Sequence, residues 1–193
     1  MKTIILALLF LFALVSCGND DDAHKEESHE FRDNLLGWYR LEAAYTDTPL
    51  DLNGDGIMST DIFAETSHCE GTLSPQYYLC RFVHHVSFDD DWLDISVDVP
   101  YSKYSMFEED YTTCVYENKR FYQCEVNEKS KEVIIEYDYP ELQDEFRIWI
   151  QEVNWEDETA YFTFKKEFYT SAGTWEEVTL YMEYKLDPDY GKN

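Results

Sequence analysis

Leu93, Ile95, Val97 and Val99 alternate with Asp94, Ser96 and Asp98. Successive side chains of a strand point to opposite faces, so this run predicts a strand with one buried and one wet face. A helix cannot use the pattern, because a 3.6-residue period would scatter the apolar positions around its axis. The same beat returns in Phe146, Ile148 and Ile150, in Phe162 and Phe164, and in Val178, Leu180, Met182, Tyr184 and Leu186. Strand-like runs are expected at residues 39–45, 77–88, 93–99, 111–117, 120–127, 131–138, 145–153, 159–169 and 174–186. Turn residues separate them, among them Asn118-Lys119, Glu128-Lys129-Ser130, Pro140 and Ala172-Gly173. Strands joined by short connections predict an all-β, antiparallel up-and-down meander. A long meander has two edges to hide, and closure into a β-barrel removes both. One short helix is expected near residues 60–66, with Ser59 or Thr60 as N-cap and Asp61 in its first turn.

Acidic residues outnumber basic ones by 41 to 15, for a formal net charge of −26. Such a chain repels nucleic acid and anionic head groups, so a polyanionic partner is excluded. Strongly acidic chains can be disordered, but those are poor in aromatics. Here 16 Tyr, 12 Phe and 5 Trp supply a core. The reading is a folded domain with an acidic, soluble surface.

The amino terminus carries a different signal. Lys2 precedes an almost unbroken apolar run from Ile4 to Val15. That run suits a signal-peptide core better than a permanent span. It ends in Leu14-Val15-Ser16-Cys17, which resembles the lipobox of bacterial lipoproteins. The resemblance implies cleavage after residue 16, lipid on Cys17, and attachment to the outer membrane. Multiple acyl chains on one residue anchor a protein stably. Residues 17–34 are polar and aperiodic, as expected of a tether. Gly18-Asn19-Asp20-Asp21-Asp22 resembles the surface-export signal of Bacteroidetes-type lipoproteins, which implies exposure at the cell surface, with the periplasmic face as the other option. The domain is expected to occupy residues 35–193.

That domain opens with Leu36-Gly37-Trp38-Tyr39 and continues through Asp51-Leu52-Asn53-Gly54-Asp55-Gly56 and Cys69 into the ladder. In this order the residues resemble the lipocalin-like domains of Bacteroidetes lipoproteins. The resemblance implies a lipocalin-like barrel with a cup for a small apolar ligand.

Asp51, Asn53 and Asp55, followed by Gly56, match the first half of a calcium loop, where side chains at alternating positions converge on one ion. Ser59 falls at the ninth loop position, and Asp61 or Glu65 would have to replace the missing bidentate acid. The competing reading is a turn held by its own Asx hydrogen bonds. Ca2+ is the one cofactor this motif suggests.

Cys69, Cys80, Cys114 and Cys124 remain after the lipid site. An even count in an exported protein predicts two disulfides. Of three possible pairings, hairpin geometry favours Cys69–Cys80 and Cys114–Cys124, each pair placed symmetrically about a turn. A zinc site from Cys69, Cys80, His68 and His84 is the alternative use of the same thiols. His84 and His85 are strand neighbours and point to opposite faces, one expected in the core and one at the surface.

Nothing provides an activated nucleophile, and acidic pairs are too abundant to single one out, so no catalytic residue is assigned. Tyr78, Phe82, Trp149, Phe162, Phe164 and Tyr181 are candidates for lining a cup, although aromatics equally build plain cores. The expected function is a tethered, non-catalytic barrel that binds a small apolar ligand or an extracellular or envelope partner. The alternatives are an envelope interaction protein with a solid barrel, and an enzyme using a carboxylate in the cup.

Overall fold

The computed structural model describes residues 29–66, 77–86, 92–138 and 140–191. The signal sequence, Cys17, most of the tether, His68, Cys69 and the expected turn at Ser74-Pro75 lie outside the described residues. The elements run in the order α1 (Glu30–Leu35), β1 (Gly37–Leu50), β2 (Ser59–Asp61), α2 (Ile62–Thr66), β3 (Leu79–His84), β4 (Trp92–Ser105), β5 (Asp110–Asn127), β6 (Glu132–Tyr137), α3 (Pro140–Phe146), β7 (Ile148–Glu156), β8 (Thr159–Tyr169) and β9 (Trp175–Leu186). Eight strands form an antiparallel, nearly closed barrel in the order β6-β5-β4-β3-β1-β9-β8-β7, and β2 pairs with β1 beside that path.

The alternation does what its period predicts. Leu93, Ile95, Val97 and Val99 of β4 are fully buried, as are Ala160, Phe162, Phe164 and Phe168 of β8. In β1 the beat changes phase. Tyr39 and Leu41 face inward, but the register with β9 slips between Leu41 and Ala43, and Ala44 and Thr46 are the next buried positions. A bulge adds one residue to one strand and swaps its faces thereafter. Tyr45, which shares the parity of Tyr39 and Leu41, is therefore outside, stacked on Tyr181 at 5.3 Å between ring centroids.

Two expected strands are one. Residues 110–127 form a single strand paired with β4 along its length, with Asn118 opposite Val99 and Lys119 opposite Asp98. The polar pair that looked like a turn is mid-strand. Pro100 did not end β4 because β3 pairs only as far as Val97. Beyond that point β4 has no ladder partner on that side among the described residues, where a missing N–H costs no ladder bond.

This corrects both expected disulfides. Cys114 and Cys124 are ten positions apart on β5, roughly 33 Å at strand rise, far beyond bridging reach. Cys80 and Cys124 are free, fully buried thiols, so neither Cys69–Cys80 nor Cys114–Cys124 forms. Burial raises both thiols, Cys124 to about 12, which leaves them protonated and unreactive.

The domain also begins earlier than expected. Residues 30–34, assigned to the tether, form α1 together with Leu35, and Phe31, Arg32 and Leu35 are buried against the barrel. Glu128, from the β5–β6 turn, accepts the N–H groups of Phe31 at 2.9 Å and Arg32 at 2.8 Å. Those are orphan donors at a positive helix end, so a carboxylate fits there. Phe31 packs edge-on against Trp155 at 6.0 Å. Tyr39 donates its hydroxyl to Leu35 O at 2.7 Å and accepts the Trp155 indole N–H at 3.1 Å.

At the other end the β4–β5 hairpin reaches across to the β8–β9 hairpin. Tyr169 donates its hydroxyl to the Asp110 carboxylate at 2.8 Å, and Ser102 Oγ accepts Tyr169 N–H at 3.2 Å. Tyr111 packs on Trp175 at 4.7 Å and on Tyr169 at 5.7 Å. These strands are not neighbours in the sheet, so the contacts span the barrel mouth.

Candidate functional site

The six aromatic residues expected to line a cup separate into two groups. Tyr78, Phe82, Phe162 and Phe164 are buried in the core. Phe82 packs against Tyr39 at 5.4 Å, and Phe162 packs against Phe82, Phe164 and Tyr184 at 6.3, 5.8 and 5.6 Å. They fill the barrel with one another. Trp149 and Tyr181 are half-buried on the outer face, Trp149 beside the Lys165 ammonium and Tyr181 against Tyr45.

The acidic loop is held by its own side chains. Asp51 accepts Gly54 N–H at 2.6 Å and Gly56 N–H at 3.1 Å; Asn53 accepts Asp55 N–H at 2.8 Å; Asp55 accepts Ile57 N–H at 2.7 Å. Ser59 accepts Asp61 N–H, and Asp61 caps α2 through Phe63 N–H and Ala64 N–H. Glu65 is buried and accepts Leu52 N–H at 2.9 Å. Each carboxylate is turned onto backbone amides instead of onto a shared centre. Among the described residues no three His, Cys, Asp or Glu side chains are grouped to hold a metal ion. The hydrogen bonds of Asp51, Asn53 and Asp55 are those of the competing Asx-turn reading. His84 is exposed and His85 half-buried, its Nδ1 2.8 Å from Asp94 Oδ1, so neither is a core histidine.

One opening lies in the wall. Among the described residues β6 pairs only with β5, and β7 only with β8. No backbone hydrogen bond joins β6 to β7 among the described residues. Between them runs a groove of about 720 Å3. Val133, Ile135, Ile150 and Val153 form its inner lining, and Glu132, Glu136, Glu152 and Asn154 its outer lip. Asp138 and Gln143 close the end nearest α3. No Lys or Arg lines it.

α3 links the two strands that flank this seam, and two buried cations hold its ends. On the approach, Arg120 of β5 is 1% exposed and its Nη2 donates to Asp138 Oδ1 at 2.6 Å. Gln143 Nε2 donates to the other Asp138 oxygen at 2.5 Å. The guanidinium Nε and Nη1 have no hydrogen-bond acceptor among the described residues; the group lies 5.7 Å from the ring centroids of Tyr122 and Phe146. A ring face replaces part of the lost hydration of a cation. On the exit, Lys166 of β8 is fully buried and its Nζ donates to Phe146 O at 3.1 Å, Arg147 O at 3.4 Å and Glu167 O at 2.6 Å. The first two are carbonyls at the end of α3, where a helix leaves acceptors unsatisfied and favours positive charge. Burial holds the Lys166 ammonium down at about 7. Arg147 takes a positive φ of 50°, the left-handed turn that often ends a helix, at a cost for a non-glycine residue. Its guanidinium stacks 4.0 Å from the Trp175 centroid and pairs with Glu167.

Sequence reasoning missed this site because it consists of a pairing that does not occur. Lys166 did leave a signal: it shares the inward parity of Phe162, Phe164 and Phe168. Compared with protein families, with curated proteins and with solved structures, the chain matches none.

Proposed function

We propose that this chain is a lipid-tethered, non-catalytic binding module that engages a partner on the outside of a filled barrel. The observation that carries the reading is the packing of the interior. Tyr39, Phe82, Phe162, Phe164 and Tyr184 occupy the place where a lipocalin-like cup would hold its ligand. α1 packs at one end, the hairpin contact at Tyr169 and Trp175 spans the other, and the wall seam offers a concave surface of about 720 Å3. The lipobox resemblance at Leu14 to Cys17 supports anchorage to the outer membrane, and the acidic segment after it supports display at the cell surface.

Titration with a fluorescent fatty acid tests the reading. Weak, non-saturating binding is expected. Saturable one-to-one uptake that quenches tryptophan would return the apolar-ligand reading and sink this one.

A further inference from the structure

We infer that α3 is a proton-sensitive flap at the end of the seam: it opens only by uncovering Lys166, so opening is coupled to proton uptake and is suppressed at alkaline pH. The inference stands apart from the binding-module reading and concerns how the wall opens.

The first ground is how lightly α3 is attached. None of its residues is buried. It joins β6 to β7, and no backbone hydrogen bond links those strands among the described residues. Its entry is held by Asp138 on the Arg120 guanidinium, and its exit by the carbonyls of Phe146 and Arg147 on the Lys166 ammonium. Arg147 adds a stack on Trp175 and a partly exposed ion pair with Glu167. A short helix with little buried surface is the kind of segment that opens locally, ahead of the core.

The second ground is what opening does to Lys166. Two of the three acceptors on its Nζ belong to the α3 exit, and the third, Glu167 O, to its own strand. All three are neutral carbonyls. Its ladder neighbours are Ile148 on β7 and Val178 on β9, and the Phe168 ring centroid lies 4.9 Å from the ammonium. The charged groups around it are Glu167 beside it, Arg147 at the exit and the Arg120 guanidinium over the Phe146 ring; Glu141, Asp144 and Glu145 of α3 are exposed. With the flap closed the ammonium is dry, and burial holds it down at about 7; with the flap open it is wet and returns toward 10.5. Between those values the closed state holds fewer protons than the open one, so acid favours opening. Below pH 7 both states are charged and the equilibrium is flat. Above it, each pH unit makes opening about tenfold rarer, and from pH 7 to 9 the suppression is about fiftyfold once partial protonation at pH 7 is counted.

The test is native-state amide hydrogen exchange on the full chain at pH 6, 7, 8 and 9, expressed as protection relative to the unstructured chain at the same pH. The amides of residues 144–146, the last turn of α3, are expected to exchange about tenfold or more faster than those of Phe162 and Phe164, and to be insensitive to low urea, the mark of a local opening. Their protection should rise about fiftyfold from pH 7 to 9, and only about twofold from pH 6 to 7. In Lys166→Met the rise should be absent. Lys166→Arg, which keeps its charge throughout this range, serves if the methionine variant does not fold. Protection of α3 that stays flat from pH 7 to 9 in the wild-type protein overturns the inference, and so does a rise that survives either variant. Exchange of α3 with the urea sensitivity of the core overturns it too, because α3 would then open only when the barrel unfolds.

Discussion

Replacing Lys166 with methionine should remove a pH dependence that the wild-type protein shows between pH 7 and 9. Lys166 is fully buried, with only carbonyl oxygens at its ammonium. Desolvation is the main cause of its depressed pKa; the Glu167 carboxylate pulls the other way, and Arg147 adds a smaller push down. The native group titrates near 7 and the unfolded one at its ordinary 10.5. Below pH 7 both states hold the proton, and the penalty for burying the charge is fully present. Between 7 and 10.5 the unfolded chain holds one proton more than the native, so stability rises with pH. Each pH unit in that window is worth about 1.4 kcal/mol, and the gain from pH 7 to 9 is roughly 2 kcal/mol once partial protonation at pH 7 is counted.

The upper limit is set by the thiols. Cys80 and Cys124 have raised native pKa values, so their contribution is present below the unfolded value of 9.0 and lost as pH rises beyond it. The buried tyrosines Tyr39, Tyr78, Tyr122 and Tyr184 act likewise above 10.0. Pairing wild type with Lys166→Met cancels these common slopes. The absolute offset between the two proteins is a poor test. Methionine relieves a buried charge but strips donors from Phe146 O and Arg147 O, at about 1–3 kcal/mol for each orphaned acceptor. The difference in slope is the informative quantity. Urea unfolding at pH 7, 8 and 9 should show wild type gaining on the variant by roughly 2 kcal/mol. Parallel curves for the two proteins would refute the titration near 7.

Two further outcomes follow from the ends of the domain. Glu128→Ala removes the carboxylate that caps α1, and it should lower stability by about 1–2 kcal/mol; calorimetry should find the melting temperature down by roughly 4–6 °C, with the exposed control Glu136→Ala unchanged within error. Cys17→Ser should abolish labelling by radioactive palmitate and move the protein from the membrane fraction to the soluble one, and retention of both label and membrane association would refute lipid anchorage at that residue.

The barrel was legible because alternation is a local property. β4, β8 and β9 each carry enough apolar residues at period two to fix which face is buried before any partner is known. What was illegible depended on neighbours. The Asn118-Lys119 pair has turn chemistry, yet β4 offers a partner along its whole length and the chain stays extended. The bulge at the start of β1 arises from its register with β9, and the sequence of β1 alone does not contain it. α1 had only Phe31 and Leu35, spaced four apart, and its capping acid lies 97 positions away from Phe31. The Cys114–Cys124 pairing failed for the same reason as the hairpin: symmetry about a turn means nothing once the turn is a strand.

The open seam is a further step along that line. Strands β6 and β7 are consecutive and antiparallel, with a ten-residue connection that elsewhere would close as an ordinary hairpin. Here the connection is drawn onto the barrel wall at both ends: Asp138 by the Arg120 guanidinium, and the carbonyls of Phe146 and Arg147 by the Lys166 ammonium. Both cations are almost completely removed from water, Arg120 without acceptors for two of its nitrogens and Lys166 without a carboxylate on its Nζ. Arg147 adds a left-handed backbone turn. Each of these features opposes stability by itself. Together they fix where α3 leaves β6 and where it delivers β7, so the separation of the two edges is set by the wall and not by the strands that border it. Loosening either anchor should therefore change the seam before it changes the core, because Phe162 packs on the rings of Phe82 and Tyr184, which belong to other strands of the wall.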